Sequence, residues 1–465
     1  MKLQKRNIIA IVSVILCTAL LVGALAACKK KTDGDKIDKT SEITSPAATD
    51  IRVKLFLPDT NQSALWQTLA ADYKAATGVD IVVQTANGNP KDELKTAMES
   101  AESAPTLFLF ANPRDAADRK DDLLNLKDSS AYAALLDKNL AIYSGADKPV
   151  ALPIGVEPYG IILNNAIIEK YFALTDRATD YTKLSDIDSQ AKFDALVKDM
   201  AKQKQALAID GVFAGLPLKA GDANGSTHRL FSLPLSYEMR KNAVDITGDG
   251  VKDLKFSYAS NLQSFTDLVV ANDNIANDAH EERTSEDAAK DFLLGKTAMI
   301  LGDSGLWGAL NTLTSGTVKE EDLLLIPAYM DLAEANGKQG LAFEVTEYAA
   351  VNAKAAEDER VAAAQFISWL VSSEKGVSFL SNGLNILAPY TNTELSLPTN
   401  PLKQNAYTWL KNGDVSSINS YAALGVHENF RDKVLNTGLA AYAKGTDTWD
   451  KFKEKVVEGW HKLFN

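Results

Sequence analysis

Cysteine is nearly absent from this chain. Only Cys17 and Cys28 occur in 465 residues. Both lie near the start, so the bulk of the sequence can build neither a disulfide nor a thiolate metal site. Histidine is almost as scarce. His228, His280, His427 and His461 are scattered without metal-ligand spacing and read as surface or satisfied interior positions. Positive charge is in deficit, with 49 Lys and Arg against 61 Asp and Glu, a net charge of −12 and a pI near 5.0. That balance, with no Lys/Arg stripe interleaved with aromatics, excludes nucleic acid as the expected partner. There is no phosphate-binding loop, no Gly-x-Gly-x-x-Gly after a strand and no Gly-x-Ser-x-Gly elbow. No cofactor is expected. Internal repeats are missing, and only one apolar run approaches the length of a membrane span.

That run is at the N-terminus. Lys2, Lys5 and Arg6 precede the uncharged stretch Ile8–Leu25, and Leu25-Ala26-Ala27-Cys28 closes it. The pattern resembles a bacterial lipoprotein signal, with cleavage before Cys28 and lipid on its thiol. It predicts a signal peptide over 1–27 and a protein held on the extracytoplasmic face of the cell membrane. Residues 28–50 are small and polar after Lys29–Lys31, a composition that cannot bury enough apolar surface to order itself. They are expected to be a flexible tether.

From residue 51 onward the composition is globular, and the length calls for more than one domain. Strand and helix patterns alternate. Ile51–Leu57 reads as a strand and Ser63–Thr77 as a helix closed by Gly78. Val79–Gln84 follows as a strand, Pro90–Ser103 as a helix and Thr106–Phe110 as a buried strand. Such spacing predicts parallel βαβ units, whose ligands sit beyond the carboxyl ends of the strands. Farther on, Thr297–Leu301 is a buried strand that delivers Gly302-Asp303-Ser304-Gly305-Leu306-Trp307 to the start of a helix.

Two stretches look like joints. In Val150–Asn165 an apolar extended run is interrupted by Glu157-Pro158-Tyr159-Gly160 and then resumes. Pro158 has no N–H, and Gly160 tolerates unusual dihedrals. The expectation is a strand, a short joint outside the ladder and a second strand, with Glu157 and Tyr159 facing a gap; an ordinary bulged strand is the plainer alternative. Gly340–Asn352 repeats the pattern, with Glu344 and Glu347 as interruptions.

Several segments in register resemble the family 1 extracellular solute-binding proteins of carbohydrate ABC importers, the group that includes maltose-binding protein. They include Thr77-Gly78-Val79, Ala104–Phe108, Leu152-Pro153-Ile154 with Tyr159-Gly160, Phe292–Met299, Ala363–Gly376, Asn429-Phe430 and Gly445–Trp449. The resemblance implies an α/β, two-lobed periplasmic-binding-protein-like fold. Each lobe would be a mostly parallel sheet flanked by helices, joined by two or three crossing segments. Lobe 1 would comprise 51–157 plus 345–378, and lobe 2 158–344 plus 379–465. It further implies a monomer, not an enzyme, that clasps a sugar or oligosaccharide and delivers it to an ABC permease. The chain departs from the family pattern at Gly302–Trp307 and at Asn224-Gly225-Ser226, so an aromatic platform is missing or moved.

Sugar recognition needs flat apolar faces and a ring of hydrogen-bonding groups. The aromatic candidates are Trp66, Tyr159, Trp307 and Tyr421. Trp66 has helical spacing that equally suits a core, and Tyr421 lies in a polar loop. The polar candidates are Asp59, Asn61, Asn112, Glu157, Arg229, Asp303 and Glu347, with solvated loops as the plainer reading for several of them. Asp245, Thr247, Asp249 and Asp253 have calcium-loop spacing, but Phe256 stands where the bidentate Glu belongs, so no metal site is assigned. Two rivals remain: the same fold holding a peptide, polyamine or metal complex, and a surface glycoside hydrolase using Glu157 and Glu347.

Overall fold

The computed structural model describes residues 51–100, 102–111, 113–114, 119–145, 147–222, 227–244, 249–313, 316–334, 337–419 and 428–464. Ten strands lie among them: β1 (Arg52–Leu57), β2 (Asp80–Thr85), β3 (Leu107–Phe110), β4 (Ile142–Tyr143), β5 (Pro149–Asn164), β6 (Gly211–Phe213), β7 (Thr297–Asp303), β8 (Leu323–Ile326), β9 (Leu341–Val351) and β10 (Val415–Ser417). They form a single sheet in the order β2-β1-β3-β9-β5-β7-β6, with β4 and β8 on β5 and β10 on β9.

At one end β2, β1 and β3 are parallel, as the alternation of strands and helices predicts. The Ser63–Thr77 helix buries Trp66, Leu69, Ala70 and Tyr73 at helical spacing and stops at Gly78, whose φ is 80°. Only a residue without a Cβ takes that left-handed turn freely. Its Tyr73 ring meets Phe366 and Trp369 of the Glu357–Ser372 helix edge-on, at 4.9 and 5.1 Å. Pro90 opens the next helix behind Asn89, whose side chain accepts from the Lys91 and Asp92 N–H groups. That helix ends at Met98, earlier than its sequence suggests. At the other end β6 and β7 are parallel.

The middle of the sheet is antiparallel. β5 and β9 pair from Ala151↔Ala350 to Tyr159↔Ala342. The early part of β5 also pairs with β4, and its late part with β7 and β8. β9 likewise reaches β3 through residues 348–351 and β10 through residues 341–343. These two long strands therefore serve both ends of the sheet. Every residue of β5 except Glu157 is buried, so the strand reads as a nearly continuous apolar run.

The expected joint at 157–160 is absent. β5 runs unbroken for 16 residues, with Pro158 opposite Phe343 within the ladder. The irregularity falls earlier, between Pro153 and Val156, where the register slips twice. There the Val156 N–H turns to the Leu387 carbonyl at 2.9 Å. A Cβ on Gly155 would lie 2.6 Å from Ile386 Cγ2, so close approach of the 386–387 segment is what that glycine permits. Gly160 has a similar reason: its Cβ would stand 2.2 Å from the Ile326 carbonyl oxygen of β8. It is a contact glycine between two strands.

Candidate ligand-binding site

The bulge on β9 breaks strict alternation. Glu344, Thr346 and Glu347 become the accessible positions of an otherwise buried strand. Glu344 meets Arg229 in the first turn of the Thr227–Lys241 helix, with Arg229 Nε donating to Glu344 Oε2 at 2.6 Å. Arg229 Nη1 donates to Asp303 Oδ2 at 2.7 Å, at the carboxyl end of β7. The second Asp303 oxygen accepts from the Gly305 N–H at 2.9 Å, shaping the turn after the strand. Burial opposes the charge on Arg229, but Glu344, Asp303 and Glu157 more than offset this and hold its pKa above the ordinary value.

Glu157 joins the same group from β5. Its Oε1 accepts from the Ser304 N–H at 2.8 Å, and Lys403 Nζ lies 3.9 Å from Oε2. Burial raises its pKa, with Lys403 acting the other way. Lys403 is placed by the Pro401–Asn412 helix, whose cap Asn400 accepts from the Leu402 N–H and donates to the Ser304 carbonyl at 2.9 Å. A charged network thus ties together β5, β7, β9 and two helices.

Glu347, a little farther along β9, is different. Among the described residues it has no hydrogen-bonded or ion-paired partner. Burial, and then the nearby charge of Asp59, push its pKa up to about 7. Asp59 caps the short helical turn Thr60–Gln62, accepting from the Asn61 N–H at 2.8 Å. Asp59, just after β1, and Glu347 of β9 are thus neighbouring carboxylates.

The structure brings Glu157, Arg229 and Asp303 together in one network, and Asp59 with Glu347 in a separate pair of carboxylates. Asn61 is exposed on the adjoining turn. Trp66 is 1% exposed, edge-on to Phe379 at 5.0 Å, and is a core residue: its helical spacing faces an apolar cluster that includes Tyr73, Phe366 and Leu370. Tyr159 is equally buried, because its position in the ladder turns it into an apolar cluster with Phe193, Phe213 and Phe231. Trp307 is half-buried, with Nε1 donating to Glu320 Oε2 at 3.0 Å. Asn112, Tyr421 and Cys28 lie outside the described residues, as do Asp245, Thr247 and the side chain of Asp249. No group of His, Cys, Asp and Glu suited to a metal ion occurs among the described residues. His280 is fully buried, with Nδ1 3.2 Å from the Leu216 carbonyl.

Sequence reasoning left Glu344, Lys403 and the Ser304 backbone out of the site. Glu344 was visible as a polar interruption of an apolar strand. Lys403 carried no local signal, because its partner lies on a strand far away in the chain.

A family model described as bacterial extracellular solute-binding protein matches residues 68–406. The chain belongs to that family. No curated protein matches this solute-binding protein, but many solved structures share its two-lobed fold. One is a family 1 extracellular solute-binding protein from Bifidobacterium longum subsp. infantis, 14% identical, with a TM-score of 0.60 over 89% of this chain and 100% of that one. Another is apo RafE from Streptococcus pneumoniae, 14% identical, with a TM-score of 0.60 over 91% of this chain and 100% of that one. A third is the cyclic α-maltosyl-1,6-maltose binding protein from Arthrobacter globiformis, 14% identical, with a TM-score of 0.55 over 90% and 99%. At these identities the likeness shows the fold.

Proposed function

We propose that this solute-binding protein holds a sugar or oligosaccharide at the charged network where β5 and β9 pair, and delivers it to an ABC permease. The observation that carries the reading is the gathering of Arg229, Asp303, Glu344, Glu157 and Lys403 about the paired strands β5 and β9. Such groups can accept and donate to the ring of hydroxyls a saccharide presents. RafE, of similar fold, has been solved with raffinose. The crossing would divide the chain into lobes at 157/158 and 344/345, the first made of 51–157 plus 345–378. The reading is that of a receptor, not an enzyme. Glu157 is occupied by the Ser304 N–H and Lys403, which suits a binding group better than a nucleophile. Calorimetry with raffinose and with linear maltooligosaccharides tests it: saturable binding with the sugar recovered intact supports the reading. Cleaved sugar at a rate proportional to protein, lost in Glu157→Gln, transfers it to a glycoside hydrolase.

A second reading is a cationic solute such as a polyamine. It rests on Glu347 and Asp59, two neighbouring carboxylates with no cation beside them among the described residues. Spermidine binding in place of saccharide binding would establish it.

Lipid on Cys28 would hold the receptor at the membrane. Cys28→Ser is expected to leave the membrane fraction; continued fractionation with membranes overturns the anchoring.

A further inference from the structure

The Arg229 network borders a groove of about 840 Å³ lined by the Ser285–Leu293 and Leu306–Thr312 helices. Arg229 and Asp303 line both the network and the groove, so the two are continuous. The groove is built in two layers. Ala288, Leu293, Ile300 and Leu306 form a buried apolar floor. Glu286, Lys290 and Thr312 form an exposed polar rim.

We propose that this groove is an extended subsite for the outer rings of an oligosaccharide whose first ring is held at the network, which makes the preferred ligand an oligosaccharide over a mono- or disaccharide. The inference rests on the saccharide reading above. A pyranose presents C–H surface on its faces and hydroxyls at its edges, the same division the floor and rim show. A polyamine would meet Glu286 and an Asp303 already paired with Arg229, would face the cations Arg229, Lys290 and Arg431, and would lay charge against the apolar floor, an unfavourable burial. The volume falls in the range of roughly 300–1,000 Å³ typical of ligand pockets, enough for more than one ring. Small residues keep the groove open. Gly308, exposed on the helix that forms one wall, has open space where a Cβ would go, with nothing within 4 Å. A large side chain there can enter the groove without displacing the fold, and replacing a helical glycine favours the helix.

The test is calorimetry on the full chain with two series of increasing length: sucrose, raffinose and stachyose, and maltose, maltotriose and maltotetraose. In one series affinity should rise with length by about tenfold or more, equivalent to about 1.4 kcal/mol. Gly308→Phe should abolish that gain while the shortest member that binds keeps its affinity. Thr312→Trp should do the same from the rim, and Gly308→Ser should preserve the gain. A length gain that survives both blocking variants places the outer rings elsewhere and overturns the proposal. So does binding of short members with no gain in the unaltered protein. If no member of either series binds, the saccharide reading fails and takes the groove with it.

Discussion

Glu157 of β5 and Glu344 of β9 are register partners in an antiparallel pair, yet each carboxylate is held by a different cation. Like charges directly opposite one another destabilise a ladder. Here Lys403 approaches one and Arg229 holds the other, so the repulsion is met from two sides.

Removing one of those cations should expose the conflict. Arg229→Met leaves Glu344 and Asp303 mostly buried without a counter-charge. It is expected to lower unfolding free energy by roughly 2–4 kcal/mol, between the values for exposed and buried pairs. Urea denaturation measures the loss, and Arg229→Met with Glu344→Gln and Asp303→Asn should recover most of it. A single variant as stable as the unaltered protein contradicts the network's role.

Glu347 should impose a pH dependence of definite sign. Its pKa is raised from 4.5 to about 7 in the folded state. Between those values the folded chain binds more protons than the unfolded one, so stability falls as pH rises. The contribution is fully felt above the folded pKa and is bounded by roughly 3.5 kcal/mol, since a pKa unit corresponds to about 1.4 kcal/mol. Glu347→Gln should therefore stabilise the protein at pH 8 and change little at pH 4. Thermal melts across that range would show it, and parallel curves for the two proteins would refute it.

Gly160→Ala places a methyl group 2.2 Å from the Ile326 carbonyl oxygen. Backbone on both sides cannot yield as a side-chain tip would, so a loss of about 1–3 kcal/mol is expected from overpacking. Gly308→Ala, with open space around it, serves as the control. Equal melting temperatures for the two variants would argue against a tight β5–β8 approach.

Ligand should also bring the lobes together. A solute touching both sides of the crossing favours closure by its difference in affinity for the two states. Small-angle scattering should record a smaller radius of gyration at saturating raffinose or maltotriose; identical curves with bound sugar would mean the lobes do not move.

Much of this was legible in the sequence. The alternation from Ile51 to Phe110, the stop at Gly78 and the buried strand over Thr297–Leu301 depend on local periodicity and turn chemistry, which a sequence displays directly. Glu157, Arg229 and Asp303 were visible as polar residues at strand ends or beside glycine-rich loops. The bulge at Pro153–Val156 was not, because it arises from the 386–387 segment docking onto β5, a contact between distant parts of the chain. β10 was missed for a similar reason: three residues pairing with β9 carry too short a pattern to stand out. Trp66 and Tyr159 show the opposite failure. Each has the chemistry of a sugar platform, but side-chain direction within helix and strand sends both into cores.

The position of β9 also governs how the molecule can be made. It lies between β3 and β5, pairing Phe108 with Ala350 and Leu152 with Ala349. A ribosome delivers both neighbours long before their shared partner emerges. Until then each offers an open hydrogen-bonding edge on a thoroughly apolar strand, a template for adhesion to other chains. Completion must wait for contacts of large sequence separation, which are slow to form. Such a chain suits export in an unfolded state and folding after synthesis has ended.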